Sequence, residues 1–146
     1  MREYKQFIGG EWVESHSGKT EVVINPSNEE QVAIVQDGDE VDSVLALEAA
    51  EKAQVAWGRI PPRRRAETMR VFANEIRANK ERLAELLVQE GGKLIGVARM
   101  EVDVTASFID YACDWARQLD GSIVPSDNEK EHIWIHAIPR GVVVGI

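Results

Sequence analysis

The sequence predicts an α/β fold in which short strands flank a helical middle. Three observations lead there. Residues 4–36 carry brief apolar arms separated by turn residues, and residues 39–119 carry apolar side chains at helical spacing. The last stretch, Gly141-Val142-Val143-Val144-Gly145-Ile146, is a fully apolar run typical of a strand buried on both faces. Such a strand needs neighbours on both edges and helices above and below. The expectation is therefore the front part of a larger α/β protein.

The elements follow in chain order. Phe7-Ile8-Gly9-Gly10-Glu11-Trp12-Val13 places two apolar arms around a glycine pair, a hairpin signal. Glu21-Val22-Val23-Ile24 and Gln31-Val32-Ala33-Ile34-Val35 flank Asn25-Pro26-Ser27-Asn28, whose turn chemistry predicts a second hairpin. Asp39 caps a helix whose third residue is Asp42, a relative of the capping box. Val41, Val44, Leu45, Ala49, Ala53, Ala56 and Trp57 share one face of that helix. Gly58 and Pro61-Pro62 end it and start the next. There Met69, Phe72, Ala73 and Ile76 repeat at helical spacing, and Asn79-Lys80 marks a bend. A third helix carries Leu83, Leu86 and Leu87 and stops at Gly91-Gly92. A fourth is expected from about Ile95 to Leu119, with Val102, Ala106, Ile109, Ala112, Cys113 and Ala116 on one stripe. Ser122-Ile123-Val124-Pro125 and His132-Ile133-Trp134-Ile135-His136 flank a polar tip and read as a projecting hairpin. Three units result: residues 1–121, the hairpin 122–138, and residues 139–146.

Composition narrows the function classes. A chain of this length can bury roughly 70% of its unfolded surface. Hydrophobic content of 44% and charged content of 29% are those of an ordinary soluble globular protein. The net charge of −8 argues against nucleic acid and anionic membrane as partners. No run approaches the ~20 apolar residues of a membrane span, and the amino-terminus lacks the apolar stretch of a signal peptide. With one cysteine, no internal disulfide can form, and the cytoplasm is the expected compartment.

Candidate chemistry is sparse. Cys113 is the obvious thiol, but it lies on an apolar helix stripe, and Asp110 and Asp114 would raise its pKa. It reads as a small core residue. Gly91-Gly92-Lys93 is not a phosphate loop, because Leu87 and Leu94 stand where glycine and a hydroxyl residue are required; a helix cap is the better reading. His132 and His136 are four apart on a predicted strand, a span of roughly 13 Å that one ion cannot bridge. Arg63-Arg64-Arg65, Arg70, Arg77, Lys80 and Arg82 form a basic stretch, read as a solvated helix face or a set of internal ion pairs. No complete active site emerges.

Several local strings, in order, resemble the amino-terminal part of aldehyde dehydrogenases. Phe7 to Val13 is similar to that family's opening hairpin, and Val23-Ile24-Asn25-Pro26-Ser27 to its Asn-Pro turn. Ala53 to Trp57 is similar to one of its helix ends, and Glu90-Gly91-Gly92-Lys93 to a helix stop. Pro139 to Ile146 resembles the first strand of its dinucleotide-binding sheet. Within the family, Val88 to Lys93 and Phe108 to Arg117 look closest to lactaldehyde and glycolaldehyde dehydrogenases. The resemblance implies oxidation of a small aldehyde to a carboxylic acid with NAD or NADP, through a thiohemiacetal on a cysteine thiolate, with an asparagine side chain and a backbone N–H holding the oxyanion. The nucleophile, the asparagine and a glutamate that activates water to hydrolyse the thioester belong to later parts of such a protein. Cys113 does not match the nucleophile, so the chain is expected to be inactive alone. The alternative is a non-catalytic assembly module that docks on complete subunits by strand pairing.

Three residues inherit a role by this resemblance. Ile146 corresponds to the start of a loop that touches the cofactor. Ile24, by its carbonyl, and Asp103 match positions that some members use for a monovalent cation; a plain surface carboxylate is the competing reading of Asp103. The hairpin 122–138 corresponds to an arm that joins subunits into a homo-oligomer. Its Ile123, Val124, Ile133, Trp134 and Ile135 are too apolar for a free hairpin.

Overall fold

Turn residues organise the amino-terminal strands. In the computed structural model, which describes residues 2–145, β2 (Gln6–Ile8) and β3 (Glu11–Val13) form an antiparallel hairpin with Phe7 opposite Trp12. Gly9 and Gly10 turn it at φ +63° and +94°, backbone angles that favour glycine. β4 (Thr20–Ile24) and β5 (Gln31–Gln36) form the second expected hairpin, with a bulge at Val23/Ile24. Its turn is tied by the Asn25 N–H donating to the Glu30 carbonyl (2.8 Å) and the Ser27 N–H donating to Asn25 Oδ1 (2.9 Å). β1 (Arg2–Tyr4) pairs in parallel with β5, giving the order β1-β5-β4. The sequence starts its strands at residue 4 and shows no sign of this pairing, which is made over thirty positions away.

The helices begin and end at the expected punctuation. α1 spans Glu40–Arg59, α2 Pro62–Ala78, α3 Lys80–Gly91 and α4 Ile95–Asp114. Asp39 and Asp42 form a reciprocal capping box at the start of α1. Gly92 closes α3 in the left-handed region, φ +64°, with its N–H on the Val88 carbonyl (2.9 Å). α4 stops five residues before the predicted Leu119 and tightens into a 3₁₀ turn, Trp115–Arg117. Helix ends commonly tighten this way where the α pattern loses its partners.

α4 packs against α2 and α3 along a seam of small residues: Ala66 and Ala73 on α2, Ala84 on α3, and Ala98, Val102, Ala106 and Cys113 on α4. The α4 stripe thus matches its prediction at Val102, Ala106 and Cys113. Two other faces depart from theirs. Phe72 on α2 is exposed, and on α1 only Asp42 is buried while Val41, Val44, Leu45 and Trp57 are exposed. Apolar periodicity marks which face wants cover, and here no described element covers these. Four of the seven residues of the basic stretch form ion pairs: Arg70–Asp114 (2.7 Å), Arg77–Asp110 (2.5 Å) and Lys80–Asp103 (2.5 Å) strap α2 and the start of α3 to α4, and Arg63 pairs with Glu67 along α2.

β6 (Ser122–Val124) and β7 (Ile133–Ile135) form the expected hairpin, with Ile123 opposite Trp134. Gly121 sits so close to the Ile135 carbonyl oxygen that a side chain there would overlap it. Residues 139–145 pair with no strand, so the strand expected at Val142-Val143-Val144 does not form among the described residues. A strand is defined by its partner, and Val143 and Val144 are exposed.

The chain exposes 11641 Å². A compact monomer of its 16.3 kDa would expose about 7,500 Å². It therefore buries about half of its unfolded surface instead of the roughly 70% its length allows. No large side chain is fully buried among the described residues.

Candidate functional site

Four places hold the residues that sequence reasoning singled out, and they lie apart. A hydrogen-bonded polar cluster stands at the start of α1. Asp42 is 4% exposed. Its carboxylate accepts the backbone N–H of Asp39 (3.0 Å) and of His16 (3.0 and 3.1 Å to its two oxygens). The His16 imidazole lies 3.1 Å from Asp39 Oδ2. Asp39 Oδ1 in turn accepts the N–H groups of Val41 (2.8 Å) and Asp42 (3.2 Å). The His16 ring holds the Asp39 carboxyl below the usual carboxylate range, aided by those backbone donors and opposed by burial. For Asp42 the leading cause of the same downward shift is the Asp39 backbone N–H, again opposed by burial. The cluster joins the 15–19 turn to a helix start. It places no nucleophile beside a base, so its chemistry is structural. Sequence reading found the cap but not the His16 contact, which depends on folding across 23 residues.

The two cation candidates sit differently. Ile24 ends β4 at the bulge, and β4 packs against α3. The adjoining Pro26 and Ser27 lie against Gly92 at the end of α3. Asp103 is on α4, and its carboxylate holds the Lys80 ammonium at 2.5 Å. A monovalent cation there would take the place of that ammonium. Among the described residues no three His, Cys, Asp or Glu side chains gather as metal ligands.

Cys113 is buried, and its Sγ donates to the Ala66 carbonyl at 3.5 Å. That backbone carbonyl is its hydrogen-bond partner among the described residues, in keeping with a core role. It floors an apolar groove of about 480 Å³ between α2 and α4, lined also by Trp57, Met69, Phe108, Ile109 and Leu119. Running on from the groove, α4 and the 3₁₀ turn after it expose Val97, Met100, Val104, Phe108, Tyr111 and Trp115, at steps of three or four residues. Sequence reading missed this second apolar face. Its signal was there: a second apolar row at helical spacing asks for cover as the first does.

On the 122–138 hairpin, alternation puts Ile123 and Trp134 on one face and Val124, Ile133 and Ile135 on the other. All five are exposed, Trp134 at 63%. His136 stacks on Trp134 with ring centroids 6.3 Å apart, and neither His132 nor His136 is part of the paired strand. Ile146, expected to touch a cofactor, lies outside the described residues. Among the described residues no strand pairs with residues 139–145. No helix of the described residues is long and apolar enough to cross a membrane.

Comparison with known proteins adds the following. The sequence model of the aldehyde dehydrogenase family matches residues 12–146. The chain is 59% identical over 146 residues to a 3,6-anhydro-alpha-L-galactose dehydrogenase of Vibrio sp. (strain EJY3), covering 100% of this chain and 30% of that relative. It is 35% identical over 144 residues to the lactaldehyde dehydrogenase of Escherichia coli (strain K12), covering 99% of this chain and 30% of that relative. A solved structure of 3,6-anhydro-L-galactose dehydrogenase in complex with NAP superposes with a TM-score of 0.92 at 54% identity, covering 96% of this chain and 29% of that one. The chain spans about three-tenths of the length of the curated relatives it matches.

Proposed function

Because the chain belongs to the aldehyde dehydrogenase family, we propose that it forms the amino-terminal portion of an oxidoreductase that converts a small 2-hydroxyaldehyde to the carboxylic acid. The observation that carries this is the similarity of the whole chain to three-tenths of a 3,6-anhydro-alpha-L-galactose dehydrogenase and of a lactaldehyde dehydrogenase. Lactaldehyde and the open form of anhydrogalactose both carry a hydroxyl beside the aldehyde carbon. A site that hydrogen-bonds such a hydroxyl penalises aldehydes that lack it. NAD or NADP would accept the hydride when bound. These 146 residues supply scaffold: the capped α1, the helical layer and the hairpin. They carry no nucleophile and are inactive alone.

The test is steady-state oxidation by the complete gene product. Lactaldehyde and glycolaldehyde should exceed propanal in kcat/KM by at least tenfold, about 1.4 kcal/mol of discrimination. Equal rates with propanal would sink the 2-hydroxyaldehyde reading. The fragment's own inactivity is tested separately, on the isolated chain.

The hairpin 122–138 serves as an arm in a homo-oligomer, a role supported by five exposed apolar side chains on its two faces. A second reading, an assembly module that docks by strand pairing on complete subunits, draws on the same hairpin. Mixing the isolated chain with complete subunits separates them: co-sedimentation favours the module. A monovalent cation at the Ile24 carbonyl and Asp103 would need Asp103 to release Lys80. If that site operates, potassium or sodium should raise thermal stability over choline in the native protein and not in Asp103→Asn. A cytoplasmic location fits the single cysteine.

A further inference from the structure

We draw no further inference here: the strongest candidate, the apolar groove between α2 and α4 floored by Cys113 together with the exposed outer face of α4 at Val104, Phe108 and Tyr111, carries nothing, because nothing in the structure shows what covers it.

Discussion

Replacing Gly92 by alanine should loosen the joint between the helical layer and the amino-terminal sheet. Gly92 adopts φ +64° and ψ +20°, the left-handed conformation that ends α3. An L-residue with a β-carbon pays roughly 1–2 kcal/mol there. The added carbon would also stand 3.0 Å from Pro26 Cγ and 3.2 Å from Ser27 Oγ. The serine hydroxyl can rotate away, but the proline ring is fixed to its backbone and must move with the Asn25–Glu30 turn. Overpacking of this kind costs typically 1–3 kcal/mol. Because the contact can relax by a few tenths of an ångström, the low end applies, for a total of about 2–3 kcal/mol. Equilibrium urea unfolding is the assay, read as a lower midpoint with an unchanged slope. Gly92→Asn should lose less than Gly92→Ala, since asparagine tolerates the left-handed region. A loss below about 0.5 kcal/mol for Gly92→Ala, the scale of ordinary surface changes, would refute both the backbone and the contact reasoning.

Other expectations can be checked in the same protein. Gly121→Ala should open the β6–β7 hairpin, because the new carbon collides with the Ile135 carbonyl; amide exchange at residues 122–124 and 133–135 should accelerate, and unchanged protection would contradict this. Asp39 and Asp42 have folded pKa values below their ordinary value. Their contribution is therefore present above the unfolded carboxylate pKa, about 3.9, and is lost as pH falls through the lower folded values. Acid titration followed by NMR should show the His16 and Asp39 amides shifting in that window, and Asp42→Asn should remove the Asp42 part; a transition centred above the ordinary carboxylate range would reverse the sign. Cys113→Ser should leave aldehyde oxidation by the complete protein largely intact; a loss above a hundredfold without misfolding, about 2.7 kcal/mol of barrier, would make the thiol a reacting group. Trp134→Ala should shift the sedimenting species toward smaller assemblies, and an unchanged distribution would remove the arm from the interface.

Local rules made much of this fold readable. The Gly9-Gly10 turn, the Asp39 cap, the breaks at Pro61-Pro62 and Asn79 and the Gly92 stop each depend on a few neighbouring residues, and each stands where the residues put it. Distant partners were harder to read. The parallel pairing of β1 with β5 joins residues about thirty apart through backbone groups that every sequence possesses. The Val142-Val143-Val144 run has the composition of a central strand but no paired neighbour among the described residues. The exposed faces of α1 and α4 show that apolar spacing records a demand for cover without naming its source. For the same reason the candidate residues were legible only where a local pattern fixed them. Cys113 stands on the stripe that its local pattern predicts, whereas the Lys80–Asp103 contact depends on how α3 lies on α4.

The most direct test of the central claim compares the isolated 146-residue chain with the complete gene product in NAD(P)H formation from lactaldehyde, under identical conditions. The complete protein should turn over and the isolated chain should show no rate above background. Turnover by the isolated chain would contradict the account and place the reacting groups within these residues.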